Sequence, residues 1–140
     1  METGLREFPS PKSLISYIDA QLTDLRKKLG ELLRLIEELR AKSEQDKRLR
    51  SLIMSLVGKE AQVQSGNETI INLDKITIMI NPGAETELRT LEELAEYINS
   101  KIAKLQSIRR DIEKLAEADI EAKIIAVLYD GVPKSLIIKL

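Results

Sequence analysis

Cysteine and histidine are both absent from this sequence, and each absence removes a class of chemistry. Without cysteine there are no disulfides and no thiolate metal sites. Without histidine the commonest general base and the commonest metal ligand are missing. Aromatic side chains are scarce: Phe8, Tyr17, Tyr97 and Tyr129 are all there are. That leaves little from which to build base-stacking platforms for single-stranded nucleic acid. Neither sign of charge dominates, with 22 basic against 23 acidic residues and a net charge of −1. Bulk electrostatics therefore give no case for nucleic acid or an anionic membrane. No apolar run approaches the roughly 20 residues of a membrane span. The opening METGLREFPSPKS lacks the apolar stretch of a signal peptide. The expectation is a cytoplasmic protein with no membrane partner, no metal and no cofactor. The only hint of a phosphate loop, GKE at 58–60, lacks the glycine spacing and the Ser/Thr that such a loop needs.

What is present is apolar patterning. Hydrophobic residues make up 43% and charged residues 32% of 140 residues, which suits a folded chain of about one domain. The high isoleucine content and dense mixed charge point faintly to a thermophile. After the PSP break at 9–11, apolar residues fall at Ile15, Ile18, Leu22, Leu25, Leu29, Leu32, Ile36 and Leu39. Steps alternating between three and four are a coiled-coil seam. RAKSEQDKR (40–48) interrupts it, and the pattern resumes out of phase at Leu49, Leu52, Ile53 and Leu56. The reading is one helix over 12–57 with a solvated middle, ended by Gly58; the competing reading is a turn near Ser43 with a short second helix.

From 60 to 89 the period changes to two. EAQVQ (60–64), TIINL (69–73), ITIMI (76–80) and AETELR (84–89) read as strands, separated by SGNE, Asp74-Lys75 and NPG. Ile76, Ile78 and Ile80 share one face. Met79 opposite them, with Ile70 and Ile71 adjacent, implies cover on both faces. So small a pair of hairpins is marginal alone and should pair with strands of another subunit.

Thr90-Leu91-Glu92-Glu93 has the form of a capping box, opening a second helix over 90–118. Leu91, Ile98, Leu105 and Ile112 recur every seven residues. Leu94, Ile108 and Leu115 form a second stripe broken by Lys101, and Ala95 and Ile102 widen the face. With Val57 and Thr90 level, Ala118 would lie opposite about Leu29, and residues 12–28 would overhang by roughly 25 Å. The closing IIAVLYDGVPKSLIIKL (124–140) reads as a hairpin about Asp130-Gly131. Its length suits folding back along that overhang. The fold class is therefore α+β: two long antiparallel coiled-coil helices flanking β-hairpins, plus a C-terminal β-hairpin over 120–140, in one domain.

The stretch DKITIMINPGAETELRTLEELAEYINSKIAKLQSIRRDIEKL (74–115) resembles the second half of an archaeal prefoldin α subunit. YIDAQLTDLRKKLGELLRLIEELR (17–40) is similar to that family's first coil helix. The likeness covers about 12–118. EAQVQSGNETI departs from the family's first hairpin, and the C-terminal hairpin has no counterpart in it. The resemblance implies a non-enzymatic chaperone subunit with its hairpins joined in a β-barrel platform. Ile70, Ile71, Leu73, Ile76, Ile78 and Ile80 would serve oligomerisation with copies of itself or a second prefoldin-type subunit. Coil tips would hold non-native polypeptide and pass it to a group II chaperonin. The C-terminal apolar residues Ile124, Ile125, Val127, Leu128, Leu136, Ile137 and Ile138 are then a client surface or a second interface. Two other classes stand beside this one: an oligomeric single-stranded nucleic-acid binder using Arg26-Lys27-Lys28, Lys47-Arg48, Arg50 and Arg109-Arg110, and a structural coiled-coil adaptor.

Overall fold

The computed structural model describes residues 2–57, 68–118 and 121–140. Along the chain these form β1 (Gly4–Phe8), α1 (Pro11–Val57), β2 (Thr69–Asn72), β3 (Thr77–Ile80), α2 (Ala84–Glu117), β4 (Lys123–Tyr129) and β5 (Val132–Lys139). The expected strand at 60–64 and the Gly58 helix end lie outside the described residues. The architecture is α+β with two long helices and antiparallel strands. It divides into two compact units: one of Met1–Gly30 with Glu96–Leu140, the other of Glu31–Ala95.

In the first unit, α1 begins where PSP predicts. The Ser13 amide donates to Ser10 Oγ (3.2 Å), and the Ser10 amide donates back to Ser13 Oγ (3.1 Å). This reciprocal cap satisfies two amides that the first turn leaves unpaired. Pro11 occupies the first helical position, where a missing N–H costs nothing. The three strands pair antiparallel in the order β1-β4-β5. Asp130 and Gly131 both take positive φ (50° and 81°), which is the two-residue hairpin turn that Asp-Gly favours. A register shift between Val127 and Leu128, whose partners are Ser135 and Pro133, accommodates the proline on an edge strand.

Alternation along β4 turns Ile124, Ala126 and Leu128 inward, and they are buried with Phe8, Val132, Leu14, Ile18, Leu22 and Leu25. Ile98, Ile102, Leu105 and Ile112 of α2 complete this core. Leu14, rather than the expected Ile15, is the fully buried residue at the start of the seam.

β1 is a finding that the sequence reading lacks. Its register pairs Gly4 with Leu128 and Phe8 with Ile124. The Gly131 amide donates to the Glu2 carbonyl (2.8 Å), and Tyr17 Oη donates to the Gly131 carbonyl (3.0 Å). Arg6 lies over the rings of Phe8 and Tyr17, 5.5 and 4.9 Å from their centroids.

In this unit Arg109 Nε meets Asp19 Oδ1 at 2.6 Å, which corrects the expected overhang. Residue 19 has a partner ninety positions away on α2, so 12–28 does not project beyond it. The C-terminal hairpin does return along α1, but it packs on a stretch already beside α2.

In the second unit the helices run antiparallel, with Arg40 meeting Glu92 (3.3 Å) and Lys47 meeting Glu85 (2.8 Å). Residues 40–48 are helical within α1, so no turn forms near Ser43, and Ser43 is buried. Residues 84–89, expected as a strand, are instead the first turns of α2. The Glu68 carboxylate accepts the Gly83 amide at 3.2 Å and bonds the Thr86 hydroxyl. Glu85 and Glu87 add negative charge to the first turn. Thr90 is thus interior to the helix, and its hydroxyl donates back to the Thr86 carbonyl (3.1 Å). Because Glu85 in the first turn of α2 pairs with Lys47, α1 runs ten residues, 48–57, beyond that pairing.

Candidate functional site

The two units differ in how they use their apolar residues. Among the described residues, fourteen buried apolar side chains belong to the first unit. Only Leu32, Ile36 and Ala95 belong to the second. Of nineteen exposed large hydrophobics among the described residues, thirteen belong to the second unit. A monomeric soluble protein rarely leaves apolar surface so concentrated.

The β2–β3 hairpin carries six of these thirteen. Its register pairs Thr69 with Ile80 and Ile71 with Ile78, and the Leu73 amide closes the turn on the Ile76 carbonyl at 2.9 Å. One face therefore presents Ile71, Leu73, Ile76, Ile78 and Ile80. These side chains are between 39% and 63% exposed. The opposite face presents Ile70, also exposed, and the half-buried Met79. Among the described residues the aliphatic face stays open, and the expected cover reaches only Met79 on the opposite face. Among the described residues neither strand has a second neighbour, since the other strands are joined in the β1-β4-β5 sheet. All six residues expected to serve oligomerisation thus share one exposed hairpin. A feature missed at the sequence level adds to this surface. Leu49, Leu52, Met54 and Leu56, on the run of α1 beyond Lys47, are each more than half exposed.

The seven residues expected as a client or second interface separate by face. Ile124 and Leu128 are in the core. Ile125 and Val127 are half-buried on the outer face, where Ile125 pairs with Glu7 and Ile137, and Val127 pairs with Leu5 and Ser135. Leu5 and Ile137 are exposed there. Leu136 and Ile138 lie on the inner face at the β5 edge, half-buried and exposed respectively.

Each of the three basic clusters has one cation at ion-pair distance from a carboxylate. Lys28 pairs with Asp24 (3.0 Å), Lys47 with Glu85, and Arg109 with Asp19 and Glu113. The hydrogen bond between Lys47 and Glu85 raises the lysine pKa and lowers that of the glutamate. The Thr86 and Gly83 donors hold Glu68 below the usual carboxylate range. Lys101, which breaks the second apolar stripe, is 7% exposed beside the Asp130-Gly131 turn. Burial lowers its pKa, Asp130 opposes that shift and Lys28 adds to it.

Among the described residues there is no acidic cluster suited to a metal ion, and no helix long and apolar enough to cross a membrane. No family model, no curated protein and no solved structure matches this chain.

Proposed function

We propose that the chain is a non-enzymatic, cytoplasmic subunit of a prefoldin-like oligomer that holds non-native polypeptide. One observation carries this reading: a hairpin with five aliphatic side chains on a single exposed face, in a unit with only three buried apolar side chains among its described residues. Hairpins of this size are marginal in water, and another copy of the hairpin supplies both the missing strands and the missing cover. Several subunits in one particle would combine weak client contacts into useful avidity. The client surface in this reading is the outer face of the terminal sheet, at Leu5, Ile125, Val127 and Ile137. Ile124 and Leu128 are already committed to the core.

The test joins two measurements. Light scattering with small-angle scattering gives the mass and shape of the particle. Aggregation of a denatured test protein is followed with and without substoichiometric amounts of the oligomer. An oligomer that suppresses aggregation, and loses suppression in Leu5→Glu with Ile137→Glu while keeping its mass, supports the proposal. A monomer, or an oligomer that leaves aggregation untouched, refutes it. Deleting 119–140 is not a usable probe, because β4 supplies core side chains.

The adaptor reading is favoured by the same burial of Ile124, Ala126 and Leu128, which closes much of the apolar surface that an open coil tip would offer. An oligomer without suppression assigns that role.

A further inference from the structure

We infer that the free edge of β5 takes up client polypeptide as an added β-strand, and that it selects short aliphatic runs flanked by carboxylates. The inference rests on the client-holding reading above and names how the client is bound. β5 ends the β1-β4-β5 sheet, so among the described residues it has β4 on one side only. Every second residue of such a strand turns its backbone N–H and C=O away from the sheet. Another extended backbone matches that row of donors and acceptors along its length. From Ser135 to Lys139 the pairing with β4 is regular, running from Val127 back to Lys123. This stretch is an unbroken template, because Pro133 and the register shift lie before it, toward the turn.

The template is apolar on both faces. Leu136 and Ile138 lie opposite Ala126 and Ile124 on the core side, yet Leu136 is only half-buried and Ile138 is 42% exposed. Ile137 is 45% exposed on the outer face, beside Ile125 of the client surface. An added strand covers all three and continues the core with its own inward side chains. Exposed edges are commonly guarded by charge, and the opposite edge of this sheet is. On β1, Arg6 meets Glu2 at 3.1 Å and Glu7 meets Lys123 at 3.0 Å. On β5 the charges stand at the ends instead. Lys134 precedes the apolar run and Lys139 follows it, both exposed, and Lys139 lies opposite Lys123. The edge is therefore open in its middle and basic at either end. Opposite charges across a strand pair are favourable and like charges are not, so carboxylates on both flanks of the incoming run suit it in either direction.

The probe is a fluorescently labelled peptide with a short run of valine and isoleucine between aspartates, titrated against the full-length protein and followed by anisotropy. A second peptide carries N-methyl groups along the whole run, which keeps the apolar side chains and removes the backbone donors of both its edges. A third replaces the aspartates with lysines. Lys134→Glu with Lys139→Glu reverses the charge at both ends of β5, and circular dichroism checks that the variant keeps the fold. Saturable binding of the first peptide supports the inference when N-methylation weakens it at least about tenfold, a factor that losing two backbone hydrogen bonds accounts for. The charge-reversed variant should then prefer the lysine-flanked peptide. Absence of saturable binding, as when a second copy of β5 fills the edge, overturns the inference. Equal binding of the N-methylated peptide, or a flank preference unmoved by the charge reversal, also overturns it. Suppression of aggregation is scored on the same preparation. Suppression with binding indifferent to N-methylation overturns the strand geometry and leaves client holding in place. Strand-type binding without suppression leaves the edge in place and overturns client holding.

Discussion

If the hairpins assemble as proposed, replacing Ile76 and Ile78 with threonine should dissociate the oligomer without unfolding the chain. Threonine keeps the β-branched shape that strands favour while removing apolar surface. The five residues of the exposed hairpin face leave the equivalent of about two and a half whole side chains open in the single chain. Ile76 and Ile78, at 63% and 41%, account for about one of these. Full burial of one such side chain contributes about 1.5–3 kcal/mol. The double substitution therefore removes roughly that amount per subunit, and about twice that from a contact made by both partners. The dissociation constant should rise on the order of a hundredfold or more. Differences between variants are the safer use of such areas than their totals. Sedimentation velocity across a wide concentration range reads the shift directly, and helix content from circular dichroism should stay at the parent value. A parent that is monomeric throughout, or a variant that assembles as tightly as the parent, refutes the reasoning.

Other consequences follow from the core and from the cap of α2. Leu105 is fully buried at the centre of the first unit, so Leu105→Ala should cost about 2–5 kcal/mol, read as a lower denaturation midpoint at unchanged slope. Glu68 and Glu85 have folded-state pKa values lowered by their hydrogen bonds. The stability they contribute is present above the ordinary glutamate pKa and lost as pH falls through the folded values. Glu68→Gln should flatten that acid limb and loosen the first turn of α2, as seen by amide exchange. Lys47, with a raised pKa, contributes in the opposite sense. Its share holds below the ordinary lysine pKa and disappears as pH rises through the folded value.

Local signals carried much of this architecture into the sequence. The three–four spacing from Ile18 to Ile36 marks a seam that is buried at Ile18, Leu22, Leu25, Leu32 and Ile36. Asp130-Gly131 marked the terminal turn because few other pairs tolerate two successive positive φ values. What escaped was set by distant partners. β1 is a strand only because β4 lies beside it, and GLREF carries little alternation of its own. The start of α2 depends on Glu68, fifteen residues before Gly83, while the TLEE motif that looks like a cap is interior. Moving that start to Ala84 and pairing Glu85 with Lys47 changed which part of α1 runs unpaired. The exposed hairpin face was legible as alternation. The burial of Lys101 was visible only as an interruption of the second stripe, because the turn beside it comes from β4 and β5.

The pairing of Gly4 with Leu128 spans 124 positions of the chain. A ribosome working from the N-terminus therefore releases β1 long before its partner exists. The sticky hairpin of residues 69–80, by contrast, emerges complete while β4 and β5 are still unmade. On nascent chains the proposed assembly would then have a fixed order: subunits would meet through their hairpins first, and each would close its terminal sheet afterwards. Under that proposal a chain stalled after α2 would still join its neighbours, carrying an unfinished core into the particle.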